Sequence, residues 1–187
     1  MSERLGDHYH EPSNSHRESK MIASKEPTSS KPDNDIDRYP PLGLFNFAAS
    51  YEAAANLLAN KEIKATHPHA PAAFLFYQAI ELYLKAFLRL HEASMSRLRK
   101  IGHDFIQLGV RAQDKGLSLD SKTLEILQIL TEGDAWARAR YLEVGILAAP
   151  DMQELGRACD RLNRSVGQAL ASAGLPVREP SFRRRQR

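Results

Sequence analysis

Residues 70–93 read APAAFLFYQAIELYLKAFLRLHEA, and the fold turns on this stretch. Phe74, Leu75, Phe76, Ala79, Ile80, Leu82, Tyr83, Ala86, Phe87 and Leu90 recur at steps of three and four residues and cover more than one face of a helix. A helix apolar over so much of its circumference has to be surrounded by other elements, so it is the expected centre of a bundle. Just before it, His67-Pro68-His69-Ala70-Pro71 breaks the chain. Pro71 falls in the first helical turn, where a missing N–H costs nothing.

Helical spacing continues on both sides. Upstream, Leu44, Phe47, Ala48, Tyr51, Ala55 and Leu58 mark an amphipathic helix that begins after Pro40-Pro41. Downstream, Gly102 precedes His103-Asp104, and Asp104 is placed to cap a helix with Phe105, Leu108 and Ala112 on its inner side. Gly116 is a natural stop, and Asp120 or Ser121 opens the next helix, bearing Leu124, Leu127 and Leu130. A further helical stretch holds Trp136, Tyr141, Val144 and Leu147. Pro150-Asp151 then restarts the chain into a last helix striped by Met152, Leu155, Cys159, Leu162, Val166 and Leu170 and ending near Gly174. No segment alternates with a period of two, and no internal repeat is present. The expectation is an all-α fold, an antiparallel bundle of four or five helices over residues 41–175. Phe76, Ile80, Tyr83, Phe87, Leu108, Leu127 and Leu162 should be its inaccessible core.

The flanks have a different composition. Residues 1–40 are rich in Ser, Pro, Asn, Lys and Glu, with Leu5, Met21 and Ile36 as the sizeable aliphatics. Such a segment buries too little apolar area to offset its ordering entropy, so a disordered arm is expected. His8, His10 and His16 lie in it, and without an accompanying ligand cluster they read as solvated histidines, not as a metal site. The tail, residues 176–187, carries the run Arg183-Arg184-Arg185-Gln186-Arg187. Counting Lys and Arg against Asp and Glu, the arm has six against eight, residues 41–175 fifteen against fourteen, and the tail five against one. The overall charge of +3 is therefore mostly a property of the tail, and a bundle near neutrality argues against a broad nucleic-acid-binding face.

No apolar run approaches the roughly 20 residues of a membrane span. The opening MSERLGDHYHEP lacks the apolar centre of a secretory signal. The single cysteine, Cys159, excludes an internal disulfide and fits a reducing compartment, so the cytoplasm is expected. A Gly-rich phosphate loop, His-Glu-x-x-His, paired CxxC and Gly-x-Ser-x-Gly are all missing, and no cofactor is expected.

Chemistry is therefore sought among polar residues set inside apolar helices. Glu81 and Lys85 are four apart in the favourable order for an ion pair, with Gln78 one turn earlier. They read either as a pair on a solvated face or as a polar patch in a groove of the bundle. His103 stands at a helix start, where the helix dipole disfavours an imidazolium; alone it reads as a capping or hydrogen-bonding histidine. Arg138, Arg140 and Tyr141 gather beside Trp136, a combination suited to phosphate or base contact and also common in salt-bridged helices.

Three runs together, Ala79-Ile80-Glu81-Leu82-Tyr83-Leu84-Lys85-Ala86, Gly102-His103-Asp104-Phe105-Ile106-Gln107-Leu108 and Ala139-Arg140-Tyr141, resemble the HEPN domain over roughly residues 44–170. The resemblance implies an antiparallel helical bundle, frequent homodimerisation, an association with RNA or nucleotides, and pairing with a minimal nucleotidyltransferase in toxin–antitoxin systems. Ribonucleases of that family use an arginine followed after four to six residues by a histidine near the start of a late helix. Here no histidine follows Arg138 or Arg140; the one match in spacing is Arg97 to His103, with Leu98 where the family carries a polar residue. The expected function is thus a non-catalytic HEPN-like binding protein. Its contact site would comprise Glu81, Lys85, His103, Asp104, Arg140 and Tyr141. The alternative is a metal-independent endoribonuclease with Arg97 and His103 paired across a dimer axis.

Overall fold

The structure, a computed structural model, describes residues 38–134 and 150–177, which fall within one compact unit. Among these residues there are six helices and no strand: α1 Pro41–Ala59, α2 Ala70–Leu90, α3 Met95–Ile101, α4 Phe105–Asp114, α5 Ser121–Glu132 and α6 Met152–Ser172. No described helix is long and apolar enough to cross a membrane.

The bundle is organised around α2, which packs against α1, α4 and α6; α1 and α5 also touch α6, and α4 touches α5. This follows from the apolar breadth of α2, which offers a face to each neighbour. Phe76, Ile80, Tyr83, Phe87, Leu108, Leu127 and Leu162 are all buried, as their spacing predicts. Ala79 and Ala86 on α2 and Ala158 on α6 are fully buried as well, small side chains that let helices approach closely.

The inward face of α1 agrees with the apolar periodicity at Ala48 and Ala55 and departs from it at Phe47. Phe47 is 54% exposed and stacks edge-on with Tyr51 at 4.8 Å between ring centroids. The residues turned inward are Phe45, Ala48, Glu52 and Ala55. Nearly every position of α1 is apolar, so composition cannot fix the rotation of the helix; packing against α2 and α6 does.

The segment between α2 and α4 also holds a helix that the apolar spacing does not reveal. Ser94 caps α3, its Oγ accepting the Arg97 amide at 3.2 Å, and Leu98 and Ile101 turn inward. Gly102 follows at φ +64°, a left-handed backbone that few residues other than glycine adopt. It turns the chain so that Asp104 can cap α4, with Oδ1 accepting the Gln107 amide at 2.8 Å. Asp120, not Ser121, caps α5 in the same way through Thr123. The expected stretch with Trp136, Arg138, Arg140, Tyr141, Val144 and Leu147 lies outside the described residues, as do residues 1–37 and 178–187. Immediately before α1, the Tyr39 carbonyl accepts from Nε of the buried Arg89 at 3.2 Å, which fastens the entry of the bundle to the end of α2.

Candidate functional site

Glu81 is the hinge of the predicted cluster. Its side chain is only 7% exposed, yet both carboxylate oxygens have a partner: Oε1 takes Lys85 Nζ at 2.5 Å and Oε2 takes His103 Nδ1 at 2.7 Å. Lys85 comes from the next turn of α2, and its side chain is 12% exposed. His103 is delivered from the other side of the sequence by the Gly102 turn between α3 and α4. A carboxylate can only accept, so Nδ1 carries the proton and the ring orientation is set by Glu81. The ring itself is 41% exposed. A carboxylate this deep in the protein is tolerated because ammonium and imidazole replace its lost hydration.

Three of the six expected contact residues are thus joined around one carboxylate. Asp104, the fourth, is adjacent in sequence to His103, and its Oδ1 is engaged at the start of α4. Arg140 and Tyr141 lie outside the described residues. Arg97 lies on α3 and lines a groove of 190 Å³ with His91, Glu92, Arg111, Asp114 and Lys115. His103 is turned to Glu81 and is not part of that groove's wall.

A second buried carboxylate had no counterpart in the expected site. Glu52 of α1 is 7% exposed and lies among Phe45, Ala48 and Ala55 on the inward face. Tyr83 of α2 donates its hydroxyl to Glu52 Oε2 at 2.6 Å, and Asn163 of α6 donates Nδ2 to the same oxygen at 2.9 Å. Asn163 Nδ2 also donates to Tyr83 Oη at 2.7 Å, so three helices meet in one closed triangle. Burial pushes the Glu52 carboxyl above its ordinary value, against the smaller opposing effects of the Asn163 and Tyr83 hydrogen bonds. Burial, followed by the neighbouring Glu52 charge, also pushes the Tyr83 hydroxyl up. The signal for Glu52 in the sequence was positional: 45, 48, 52 and 55 form a three-four-three step, and Glu52 is the one polar residue on it.

Cys159 is fully buried, its Sγ 3.7 Å from the Phe76 carbonyl, and burial raises its pKa well above the ordinary thiol value. Such a thiol is inert packing, not a nucleophile. Asp120 titrates lower than usual: burial pushes it up, but hydrogen bonds from Thr123 and the charge of Arg161 outweigh that. Among the described residues no three His, Cys, Asp or Glu side chains converge as metal ligands. His8, His10 and His16 lie outside them.

A sequence-family model, HEPN domain, matches residues 48–165, a span that runs from α1 into α6 and contains both buried carboxylates. No curated protein and no solved structure matches the chain.

Proposed function

Because this chain belongs to the HEPN domain family, we propose that it is a non-catalytic, RNA-binding member of it that works as a homodimer. Its contact surface is the cluster around His103, Glu81 and Lys85, extended by Asp104 and by Arg140 and Tyr141. A minimal nucleotidyltransferase, the protein partner that the family resemblance implies, would meet the same cluster. The observation that carries this reading is the His103–Glu81 hydrogen bond of 2.7 Å. The endoribonuclease alternative needs His103 and Arg97 to converge on one phosphodiester, the first to move a proton and the second to hold developing charge. Here the imidazole is anchored to a buried carboxylate, while Arg97 opens on the groove beside His91 and Lys115. An anchored, part-exposed ring next to a buried ammonium suits recognition of a polar ligand.

The test uses a fluorescent single-stranded RNA and the full chain in EDTA. Anisotropy should show binding that weakens about tenfold in His103→Ala and Arg140→Ala, the loss expected when one charged or hydrogen-bonded contact is removed. Circular dichroism of both variants should stay that of the parent. Gel analysis of the same mixtures should show intact RNA after hours. Cleavage that disappears in both Arg97→Ala and His103→Ala, with binding kept, would establish the endoribonuclease instead.

A further inference from the structure

A groove of 550 Å³ lies between α1 and α6, away from His103, with the Glu52–Asn163 pair in its wall. Small residues line it on both sides, Ala49 and Ala53 on α1 and Gly167 and Ala171 on α6. We propose that this groove is a binding site for an organic cation, a guanidinium or primary ammonium group seated on the Glu52 carboxylate.

The direction of every hydrogen bond in the wall leads there. Tyr83 has one hydroxyl proton and gives it to Glu52 Oε2, so its oxygen can only accept from Asn163. That turns the Asn163 amide with Nδ2 inward, within hydrogen-bonding distance of both Tyr83 Oη and Glu52 Oε2. Two acceptor oxygens of the wall are left over. Glu52 Oε1 and Asn163 Oδ1 receive no hydrogen bond among the described residues, and both side chains line the groove. A ligand that satisfies this floor must therefore bring donors.

Charge narrows the class further. The charged side chains lining the groove are Glu52, Asp160 and Arg164. Arg164 Nη2 holds Asp160 Oδ2 at 3.1 Å on the exposed rim, so these two offset each other. When ionised, Glu52 has a neutral hydroxyl and a neutral amide as its hydrogen-bond partners, in contrast to Glu81 with its ammonium. A carboxylate buried without a cation is an expensive arrangement, and a donor-bearing cation removes that cost. A metal ion fits poorly, since no third ligand group converges on the site among the described residues. A planar guanidinium can bridge a carboxylate oxygen and an amide oxygen side by side, with its alkyl stem lying along the alanines.

Butylguanidinium and its neutral isostere butylurea are the probes, followed by calorimetry and thermal melting of the full chain. Butylguanidinium should bind saturably and raise Tm, and butylurea should do neither. Glu52→Gln keeps an oxygen for Tyr83 and Asn163, so it should fold like the parent and bind butylguanidinium at least about tenfold more weakly. Arginines 183, 184, 185 and 187 of the chain carry the same group, which a variant with all four changed to Gln tests. If parent and variant bind alike, the site serves a free small cation. If binding appears only in the variant, the groove takes the chain's own guanidinium groups. Silence in both forms, or equal binding by Glu52→Gln, overturns the proposal. Because His103 is not involved, neither result depends on the RNA-binding reading.

Discussion

Glu52 and Glu81 are two carboxylates buried to nearly the same depth on neighbouring helices, and the bundle handles them in opposite ways. Glu81 is met by an ammonium and an imidazole, one on each oxygen. Glu52 is met by a hydroxyl and an amide, both on Oε2. The first arrangement replaces hydration with charge and leaves the carboxylate part of a compact polar unit beside a part-exposed ring. The second supplies hydrogen bonds from neutral groups, and its second oxygen accepts none from the described residues. Burial alone thus says little about what a charged group does; the identity of its partners decides whether it completes the fold or waits for a ligand.

The comparison can be broken most forcefully at Lys85. Replacing Lys85 by Met keeps most of its volume and removes the ammonium, leaving Glu81 with His103 alone. Removing one partner of a buried pair strands the other, and a loss of about 3 kcal/mol is expected, at the low end for such pairs because His103 stays. Urea unfolding at pH 8 reads it. A loss below about 1 kcal/mol would mean that water already reaches Glu81 and that the two carboxylates are not comparable.

These two sites also differ in how far the sequence revealed them, and the reason is range. Glu81 and Lys85 are one helical turn apart, so a local rule finds the pair, and Gly102-His103-Asp104 carries its own turn and cap chemistry. Tyr83 lies 31 residues from Glu52 and Asn163 lies 111, so their triangle exists only once α1, α2 and α6 have packed. The same limit affected the rotation of α1. Phe47 and Phe45 are equally apolar, and only the neighbours decide which turns inward. By contrast α2 needed no such choice, because almost every face of it is buried. The helix α3 leaves no periodic signal in the sequence, because seven residues make less than two full turns.

A smaller effect is expected at Glu52 itself. Glu52→Ala deprives the Tyr83 hydroxyl of its acceptor and leaves Asn163 with one partner in place of two. A buried polar group without its partner costs about 1–3 kcal/mol, and about 2 kcal/mol is expected because Asn163 and Tyr83 can still bond to each other. Tyr83→Phe in the Glu52→Ala background should recover part of that loss, since it removes the stranded hydroxyl. Additive losses in the double variant would show that the triangle does not act as a unit.

The smallest effect separates the two carboxylates by pH. Burial raises the Glu52 pKa above its ordinary value of 4.5, which the unfolded chain retains. Between 4.5 and the raised native value, the folded protein holds a proton that the unfolded chain has released. Folding stability must then fall as pH rises through that window, and the full cost is present above it. Glu52→Gln has no such proton. A pKa raised by burial means that the site prefers a neutral group, so Gln is favoured once Glu52 is ionised. The variant should match the parent near pH 4.5 and become the more stable form towards pH 8, by on the order of 1 kcal/mol, the scale of one exchanged hydrogen bond. The other titratable groups around Glu52 are Tyr83 on α2 and Cys159, Asp160 and Arg164 on α6. Tyr83 and Cys159 are both pushed upward and stay neutral across this range, and the Asp160–Arg164 pair sits on the exposed rim. The pH trend in the difference therefore belongs to Glu52. Thermal melts of parent and variant in matched buffers measure it, and a Tm difference that stays flat from pH 4.5 to 8 would show that Glu52 is hydrated in the groove after all.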